Sequence, residues 1–185
     1  MEVTSLSISD VLLIKPRILE DARGFFFESF REDTFKKETS LNISFLQDNH
    51  SKSFQGVLRG LHYQLPPHAQ GKLIRVIQGE VLSIAVDIRE LSPFCGQYIA
   101  EILSGENKNQ LYIPEGFAHG FLTLSDTSEL LYKTTDFYHP DSERCRLWNV
   151  ATLNINWPKN FNIQVSPKDL LGQSFKTSEL FPCKQ

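Results

Sequence analysis

The stretch KLIRVIQGEVLSIAVDI, residues 72–88, contains two apolar runs rich in Val and Ile on either side of Gln78-Gly79-Glu80. Val and Ile are enriched in strands, and a short Gly-containing turn between two such runs is typical of a β-hairpin. We therefore predict strands over Leu73–Ile77 and Val81–Ile88, paired with each other across the turn.

Segments of the same kind run through most of the chain, separated by turn signals such as Arg59-Gly60 and Ser104-Gly105. Helical signals are confined to Arg31–Glu38 and the tail after Pro167. Many short strands with few helices predict an all-β sandwich or barrel in one domain, with a looser C-terminal segment from about residue 157 to 185. The further predicted strands are Val11–Ile14, Gly24–Phe30, Ile43–Gln47, Leu58–Gln64, Gln97–Leu103, Gln110–Ile113 and Leu130–Thr135.

Composition narrows the function classes. The chain has 185 residues and a net charge of -3, which argues against a partner held by non-specific phosphate contacts, such as bulk nucleic acid. Its three cysteines are widely spaced and form no C-x-x-C pair, so a zinc ribbon and a disulfide framework are disfavoured and a reducing cytoplasm is favoured. Neither a signal peptide nor an apolar run long enough for a membrane span is present.

The densest group of reactive side chains lies in GVLRGLHYQ, residues 56–64. His62 can serve as a neutral base near physiological pH, although a histidine on a strand is often a core residue with satisfied hydrogen bonds. Arg59 and Lys72 nearby suggest an anionic ligand. Strict alternation would place Arg59 and His62 on opposite faces, so both reach one pocket only if Gly60 allows a bulge.

Three other polar residues have a functional and a purely structural interpretation. His119 follows a Pro-x-Gly turn and is flanked by Ala118 and Gly120, which suits either a close approach to a ligand or a tight barrel corner. Tyr132 is either a general acid or a packing residue. Asp169, in Ser-Pro-Lys-Asp, either orients a histidine or belongs to a simple turn.

The segment DARGFFFESF, residues 21–30, places aromatic side chains on both faces of a strand. Such a strand is expected to be buried on both faces, either inside a sandwich or beneath a second subunit.

A metal-binding cupin would carry a His-x-His pair, a Glu on the same hairpin and a later His. Gln64 occupies the second His position, His68 is separated by two prolines and Glu80 lies across the turn. We therefore predict no catalytic metal.

Taken together, several segments resemble the dTDP-4-dehydrorhamnose 3,5-epimerase family. They span about residues 11–170 in one consistent order: DARGFFFESF, QDNHSKS, GVLRGLHYQ, QGKLIRVIQGEV, AVDIR, LSGENKNQLYIPEGFAHGF and SPKD. The resemblance implies a cupin-type jelly roll with a few short peripheral helices, a homodimer with residues 1–45 in the dimer contact, and no cofactor. It implies dTDP-4-dehydro-6-deoxy-glucose as substrate and the 4-dehydro-rhamnose isomer as product.

The resemblance also implies roles for individual residues. His62 matches the general base, Tyr132 the general acid, Asp169 the partner that orients the base, and Lys72 the cation beside the C4 oxygen. Tyr138 matches the aromatic that stacks on thymine. The remaining substrate contacts implied by the match are Arg23, Glu28, Gln47, Asn49, Arg59, His119, Glu143 and Lys168.

Two positions depart from the family pattern: relatives commonly carry Asp where this chain has Ser83, and an acidic residue where it has Val150. Ser83 keeps open an epimerase that inverts a single carbon of another dTDP-deoxysugar. A catalytically silent cupin that binds a nucleotide sugar is the alternative from another class, and a metal-dependent cupin oxygenase or isomerase ranks last.

Overall fold

The computed structural model describes residues 1–174 and 179–182. Neither helix in this part of the chain has the length and apolar character needed to cross a membrane. The helices are α1 (Glu32–Thr39) and α2 (Pro167–Leu170). The strands are β1 (Glu2–Ser5), β2 (Leu12–Lys15), β3 (Leu19–Asp21), β4 (Gly24–Phe26), β5 (Gln47–Phe54), β6 (Val57–Gln64), β7 (Lys72–Gln78), β8 (Glu80–Asp87), β9 (Tyr98–Ser104), β10 (Gln110–Ile113), β11 (Phe117–Thr123), β12 (Thr127–Thr134), β13 (Glu143–Cys145) and β14 (Gln164–Val165).

Two sheets face each other across a hydrophobic core. The first has the order β1-β2-β10-β7-β12-β5, and the second has the order β13-β6-β11-β8-β9 with β14 added beside β6. Ile74 and Leu130 of the first sheet share one buried cluster with Ala85 and Phe121 of the second. The predicted all-β class, with short peripheral helices, is confirmed.

The predicted hairpin between the strands of residues 72–88 is wrong. β7 pairs with β10 and β12 in the first sheet, whereas β8 pairs with β9 and β11 in the second. Gly79, with φ +75°, therefore turns the chain from one sheet into the other. Both runs are apolar on successive residues, and such strands carry no alternation that would identify their partners.

The predicted strand Ile43–Gln47 is also wrong, because the strand begins at Gln47 and continues to Phe54. Its sequence is polar because β5 is the edge of its sheet, with residues alternating between a half-buried and an exposed face.

The predicted strand Gly24–Phe30 ends at Phe26. Phe25 and Phe26 are 58% and 66% exposed in the single chain.

A bulge in β6 shapes the face of the sheet that carries His62. His62 pairs with His119 and Arg59 pairs with Phe121, so β6 uses one more residue than β11 over this interval. Gly60 has φ +128°, and a Cβ there would lie 2.6 Å from the Cα of Gly120. The expectation that Gly60 permits a bulge is confirmed.

This close approach predicts the effect of replacing Gly60. We expect Gly60→Ala to lower the free energy of unfolding by about 3 kcal/mol or more, because strain from the positive φ adds to the clash with Gly120. Gly24→Ala is the matched control, since Gly24 has φ +125° and open space where the added methyl group would lie. It should cost about 1 kcal/mol. Urea unfolding of both variants measures the difference, and equal losses would contradict the steric argument.

Candidate active site

A cavity of about 710 Å³ opens between the two sheets at one end of the core. β5, β7 and β12 of the first sheet and β6, β11 and β13 of the second contribute side chains to its wall, together with α2. All but two of the residues singled out from the sequence line it: Gln47, Asn49, Arg59, His62, Lys72, His119, Tyr132, Tyr138, Glu143, Lys168 and Asp169.

His62 and Asp169 form a hydrogen-bonded pair in the wall of the cavity. His62 Nε2 lies 2.6 Å from Asp169 Oδ1, and Ser166 caps the short helix that presents the aspartate. Burial would raise the pKa of Asp169, but hydrogen bonds from His62, the backbone N–H of Gly60 and Ser166 bring the pKa below its ordinary value. An ionised Asp169 accepts a hydrogen bond from the Nε2–H group, which leaves Nδ1 as the basic nitrogen of the ring.

Lys72 supplies a buried positive charge. It is the first residue of β7, on the same face as Ile74 and Val76 of the core, and only 8% of it is exposed. Burial lowers the pKa of Lys72 to about 8, with a smaller opposing effect from Glu143. A buried ammonium group favours a ligand that places negative charge beside it.

His119 is held neutral next to these two residues. Its backbone lies directly across from His62 in the second sheet, and its Nε2 lies 3.1 Å from the hydroxyl of Ser83. Burial, together with the charges of Lys72 and His62, lowers the pKa of His119 well below its usual range. Ser83 is therefore a neutral hydrogen-bond partner for a neutral imidazole.

Tyr132 approaches the cavity from the opposite sheet. It lies on β12 beside Asn49 of β5 and Ile74 of β7, whereas His62 lies on β6. The two strands belong to facing sheets, so Tyr132 and His62 approach the cavity from opposite sides. Burial raises the pKa of the Tyr132 phenol, with Arg59 acting in the opposite direction, so the phenol keeps its proton at neutral pH.

Charged and polar groups surround the mouth. Glu143 Oε2 accepts hydrogen bonds from Lys168 Nζ at 2.5 Å and Tyr138 Oη at 2.8 Å. Burial alone would raise the pKa of Glu143, but these two bonds bring it below the ordinary value. Gln47 donates to Asn49 at 2.8 Å and accepts from the backbone of Tyr138 at 2.9 Å.

Arg59 of β6 is anchored by hydrogen bonds to β5 of the facing sheet. Its Nε donates to Ser53 Oγ at 2.9 Å, and its terminal nitrogen donates to the backbone oxygen of Lys52 at 3.1 Å. These bonds fix the guanidinium group at the cavity wall.

Arg23 and Glu28 lie outside the cavity of their own chain. Arg23 lies in the turn of the β3–β4 hairpin and forms an exposed ion pair with Asp21 at 2.6 Å. Glu28 lies just beyond this hairpin, 3.7 Å from Arg31.

Comparison with known proteins identifies the family. The sequence profile described as dTDP-4-dehydrorhamnose 3,5-epimerase matches residues 5–177. The chain belongs to the dTDP-4-dehydrorhamnose 3,5-epimerase family.

Relatives in this epimerase family match almost the whole chain. The dTDP-4-dehydrorhamnose 3,5-epimerase of Pseudomonas aeruginosa is 52% identical over 98% of this chain and 100% of its own length. The crystal structure of dTDP-6-deoxy-D-glucose-3,5-epimerase from Legionella pneumophila, in complex with dTDP-4-keto-L-rhamnose, superposes with a TM-score of 0.95. It is 43% identical and covers 100% of this chain and 99% of that one. The 3'-monoepimerase ChmJ from Streptomyces bikiniensis has a TM-score of 0.91 at 30% identity, covering 98% of this chain and 92% of that one.

Sequence reasoning missed several polar residues in the epimerase cavity. Ser51 and Thr134 line it from β5 and β12, and Gln64 and Gln70 line it near Lys72. Ser51, Gln64 and Gln70 lie within segments that carry the family resemblance, but the resemblance assigns them no role. The alternation of β5 and β12, once their strand bounds are known, places Ser51 and Thr134 on the cavity face. Cys145 was also missed, although its Sγ lies 3.7 Å from Asp169 Oδ1. Burial raises the pKa of this thiol to about 12.

The buried ammonium group of Lys72 makes a direct prediction. In NMR titrations of lysine-labelled protein, one Nζ signal should titrate near pH 8 and be absent from the Lys72→Arg variant. The signal of Lys168 should titrate at higher pH, because its hydrogen bond to Glu143 raises its pKa. A Lys72 signal that titrates together with that of Lys168 would show that the group is not desolvated as described.

Proposed function

We propose that the protein inverts C3 and C5 of dTDP-4-dehydro-6-deoxy-glucose to give dTDP-4-dehydro-rhamnose, by removing and returning protons through an enolate. The observation that carries this proposal is the arrangement of His62 and Tyr132, which enter one cavity from facing sheets, with the buried ammonium group of Lys72 in the same sheet as Tyr132. A base and an acid on opposite sides of a sugar ring are what inversion requires.

The steps follow from the chemistry of a ketone. The C4 carbonyl acidifies the C–H bonds at C3 and C5, and His62 Nδ1 takes the proton while the bonding electrons move onto the C4 oxygen. Lys72 stabilises this negative oxygen in a site of low polarity, where one charge pairing is worth more than in water. Tyr132 then gives its proton to the opposite face of the same carbon.

The pair with Asp169 prepares His62 for this role. The ionised aspartate accepts a hydrogen bond from Nε2–H and stabilises the imidazolium that forms when Nδ1 accepts a proton. After each inversion, the proton gained by His62 and the proton lost by Tyr132 are exchanged with solvent. The isomerisation is redox-neutral, so its proton transfers call for no nicotinamide.

The wider mouth suits the nucleotide part of the substrate. Arg59 and Lys168 offer positive charge to a diphosphate, and the half-exposed ring of Tyr138 offers a stacking surface for thymine. This local charge explains how a chain with a net charge of -3 accepts an anionic substrate.

We further propose that the active unit is a homodimer in which residues 1–45 reach the second copy. Arg23 and Glu28 lie outside their own cavity, and the adjacent Phe25 and Phe26 are largely exposed. A second copy that covers these rings would bury apolar surface and bring Arg23 to the diphosphate of the partner's substrate.

Hydrogen exchange tests the proposed reaction. Incubation with dTDP-4-dehydro-6-deoxy-glucose in deuterated water should introduce deuterium at both C3 and C5, as followed by NMR. His62→Ala should reduce this exchange by roughly 10²–10⁴-fold, because the base is lost. His50→Ala is the control, since His50 lies on the outer face of β5 and pairs with Glu129.

The competing functions give different outcomes in the same experiment. Exchange at one carbon alone would indicate a single-centre epimerase, the activity stated for ChmJ. Binding without exchange would indicate a catalytically silent cupin.

Tyr132→Phe separates proton removal from proton return. The variant should retain at least part of the exchange at the abstracted position, because His62 and Lys72 are unchanged, but form almost no inverted product. Chiral analysis of the sugar beside the exchange measurement distinguishes the two steps. Equal loss of exchange and inversion would show that Tyr132 is not the acid.

Mixing two inactive variants tests the dimer. If the hairpin of one copy completes the cavity of the other, Arg23→Ala and His62→Ala chains allowed to exchange subunits should recover activity. A heterodimer then contains one intact site, so a one-to-one mixture should reach about a quarter of wild-type activity. A monomeric solution mass, or no recovery despite mixed dimers, would contradict the proposal.

A further inference from the structure

Cys145 lies directly across from His62 in the second sheet. The two residues are Cα partners in the antiparallel pair of β13 with β6, so their side chains emerge on the same face as cross-strand neighbours. Asp169 of α2 then approaches both: its Oδ1 lies 2.6 Å from His62 Nε2 and 3.7 Å from Cys145 Sγ. Three different elements therefore place a nitrogen, an oxygen and a sulfur atom within 4.8 Å of one another.

We propose that His62, Cys145 and Asp169 bind a thiophilic divalent cation, with Zn²⁺ as the best match, and that this cation switches the epimerase off. Binding rests on the geometry alone, whereas the inhibition rests on the proposed function.

The donor set determines the class of metal. Imidazole, thiolate and carboxylate are the usual ligands of Zn²⁺, whereas Mg²⁺ prefers oxygen atoms and retains its water. Bond lengths of about 2.0–2.3 Å around a tetrahedral ion separate the ligand atoms by roughly 3.3–3.8 Å. The observed separations bracket this range, so small rotations of the side chains suffice.

The cation has a route to the site and room for a fourth ligand. The side chain of His62 is 34% exposed, and His62 and Asp169 both line the large cavity. A water molecule from the cavity can complete the tetrahedron. Glu143, two residues before Cys145 on β13, lines the same cavity and adds negative charge on the approach.

Occupancy would disable the base by a defined proton movement. Coordination uses the lone pair of His62 Nε2, so the ring proton must reside on Nδ1, the atom that accepts the substrate proton. Asp169 then holds the metal instead of orienting the imidazole, and the thiol of Cys145 releases its proton to solvent when the sulfur binds. No oxidation or reduction is involved.

A second histidine cluster serves as an internal control. His68 Nδ1 lies 3.1 Å from Asp136, and the rings of His68 and His139 stack with 3.9 Å between centroids. This group offers imidazole and carboxylate but no sulfur, so metal bound there would produce no thiolate signal.

Cobalt spectroscopy tests binding independently of activity. A Cys95→Ser/Cys183→Ser variant retains Cys145 as its one cysteine. On titration with Co²⁺ it should develop thiolate-to-metal charge-transfer absorption and visible bands of tetrahedral cobalt. Adding Cys145→Ser, which retains a hydrogen-bond donor near Asp169, should abolish the charge-transfer absorption. Circular dichroism confirms that each variant is folded, and a Co²⁺ spectrum without sulfur ligation overturns the proposal.

Zinc inhibition tests the consequence. Exchange activity of the chelator-treated enzyme, expressed for each variant relative to its own metal-free rate, should fall with Zn²⁺, recover with EDTA and be unaffected by Mg²⁺. Half-inhibition of Cys145→Ser should need at least on the order of tenfold more Zn²⁺ than half-inhibition of the parent, and Cys145→Ala should behave in the same way. His68→Ala should match the parent. Equal inhibition of the Cys145 variants and the parent, or loss of inhibition in His68→Ala, would place the metal elsewhere and overturn the proposal.

If the enzyme proves inactive on the dTDP-sugar, the proposed reaction fails while the cobalt spectrum still decides the metal site. If activity is present but the spectrum shows no sulfur ligation, the metal site fails while the reaction stands.

Discussion

The contact between Gly60 of β6 and Gly120 of β11 is the constraint on which the site depends. It allows one additional residue in β6, and that residue brings Arg59 onto the face that carries His62. Without the bulge, the period of two would place the guanidinium group and the imidazole on opposite sides of the sheet. On either side of His62, β11 places His119 and β13 places Cys145 as cross-strand neighbours.

The second wall depends on regular alternation. Along β5, Gln47, Asn49 and Ser51 face the cavity while the residues between them face outward, where Asp48 pairs with Lys133. On β7 the same face begins with the charged Lys72 and continues into the apolar core through Ile74 and Val76. The polar site is thus the open end of the hydrophobic core, and burial of Lys72 follows from its position at that boundary. In the proposed reaction, the solvation cost of burying Lys72 is offset when the enolate forms beside it.

The sequence predicts the fold class and most of the cavity for identifiable reasons. Apolar runs bounded by turns indicate strands such as β8 and β10, and the resemblance to a family supplies the residues that local patterns cannot connect, such as Tyr132 and Asp169. Strand pairing is different, because β7 and β8 have similar runs and their partners are chosen by packing of distant segments. The prediction for β5 fails because one face of this edge strand lines the polar cavity and the other face is exposed, so the apolar alternation used to recognise strands is absent. Cys145 carries no local signal, since its importance arises from the strand opposite it.

Two neutral groups, the imidazole of His119 and the hydroxyl of Ser83, lie near the positive charge of Lys72. His119 is surrounded by Lys72 and His62, and a second cation in that space would raise the energy of both. Burial, together with the charges of Lys72 and His62, lowers the pKa of His119, and Ser83 adds no charge of its own beside the ring. The ammonium group of Lys72 therefore remains the concentrated positive charge in this part of the cavity. An aspartate at residue 83 would favour a charged His119 and spread the positive potential away from Lys72. In the proposed reaction, Ser83 therefore leaves the ammonium group of Lys72 as the concentrated positive charge beside the enolate oxygen.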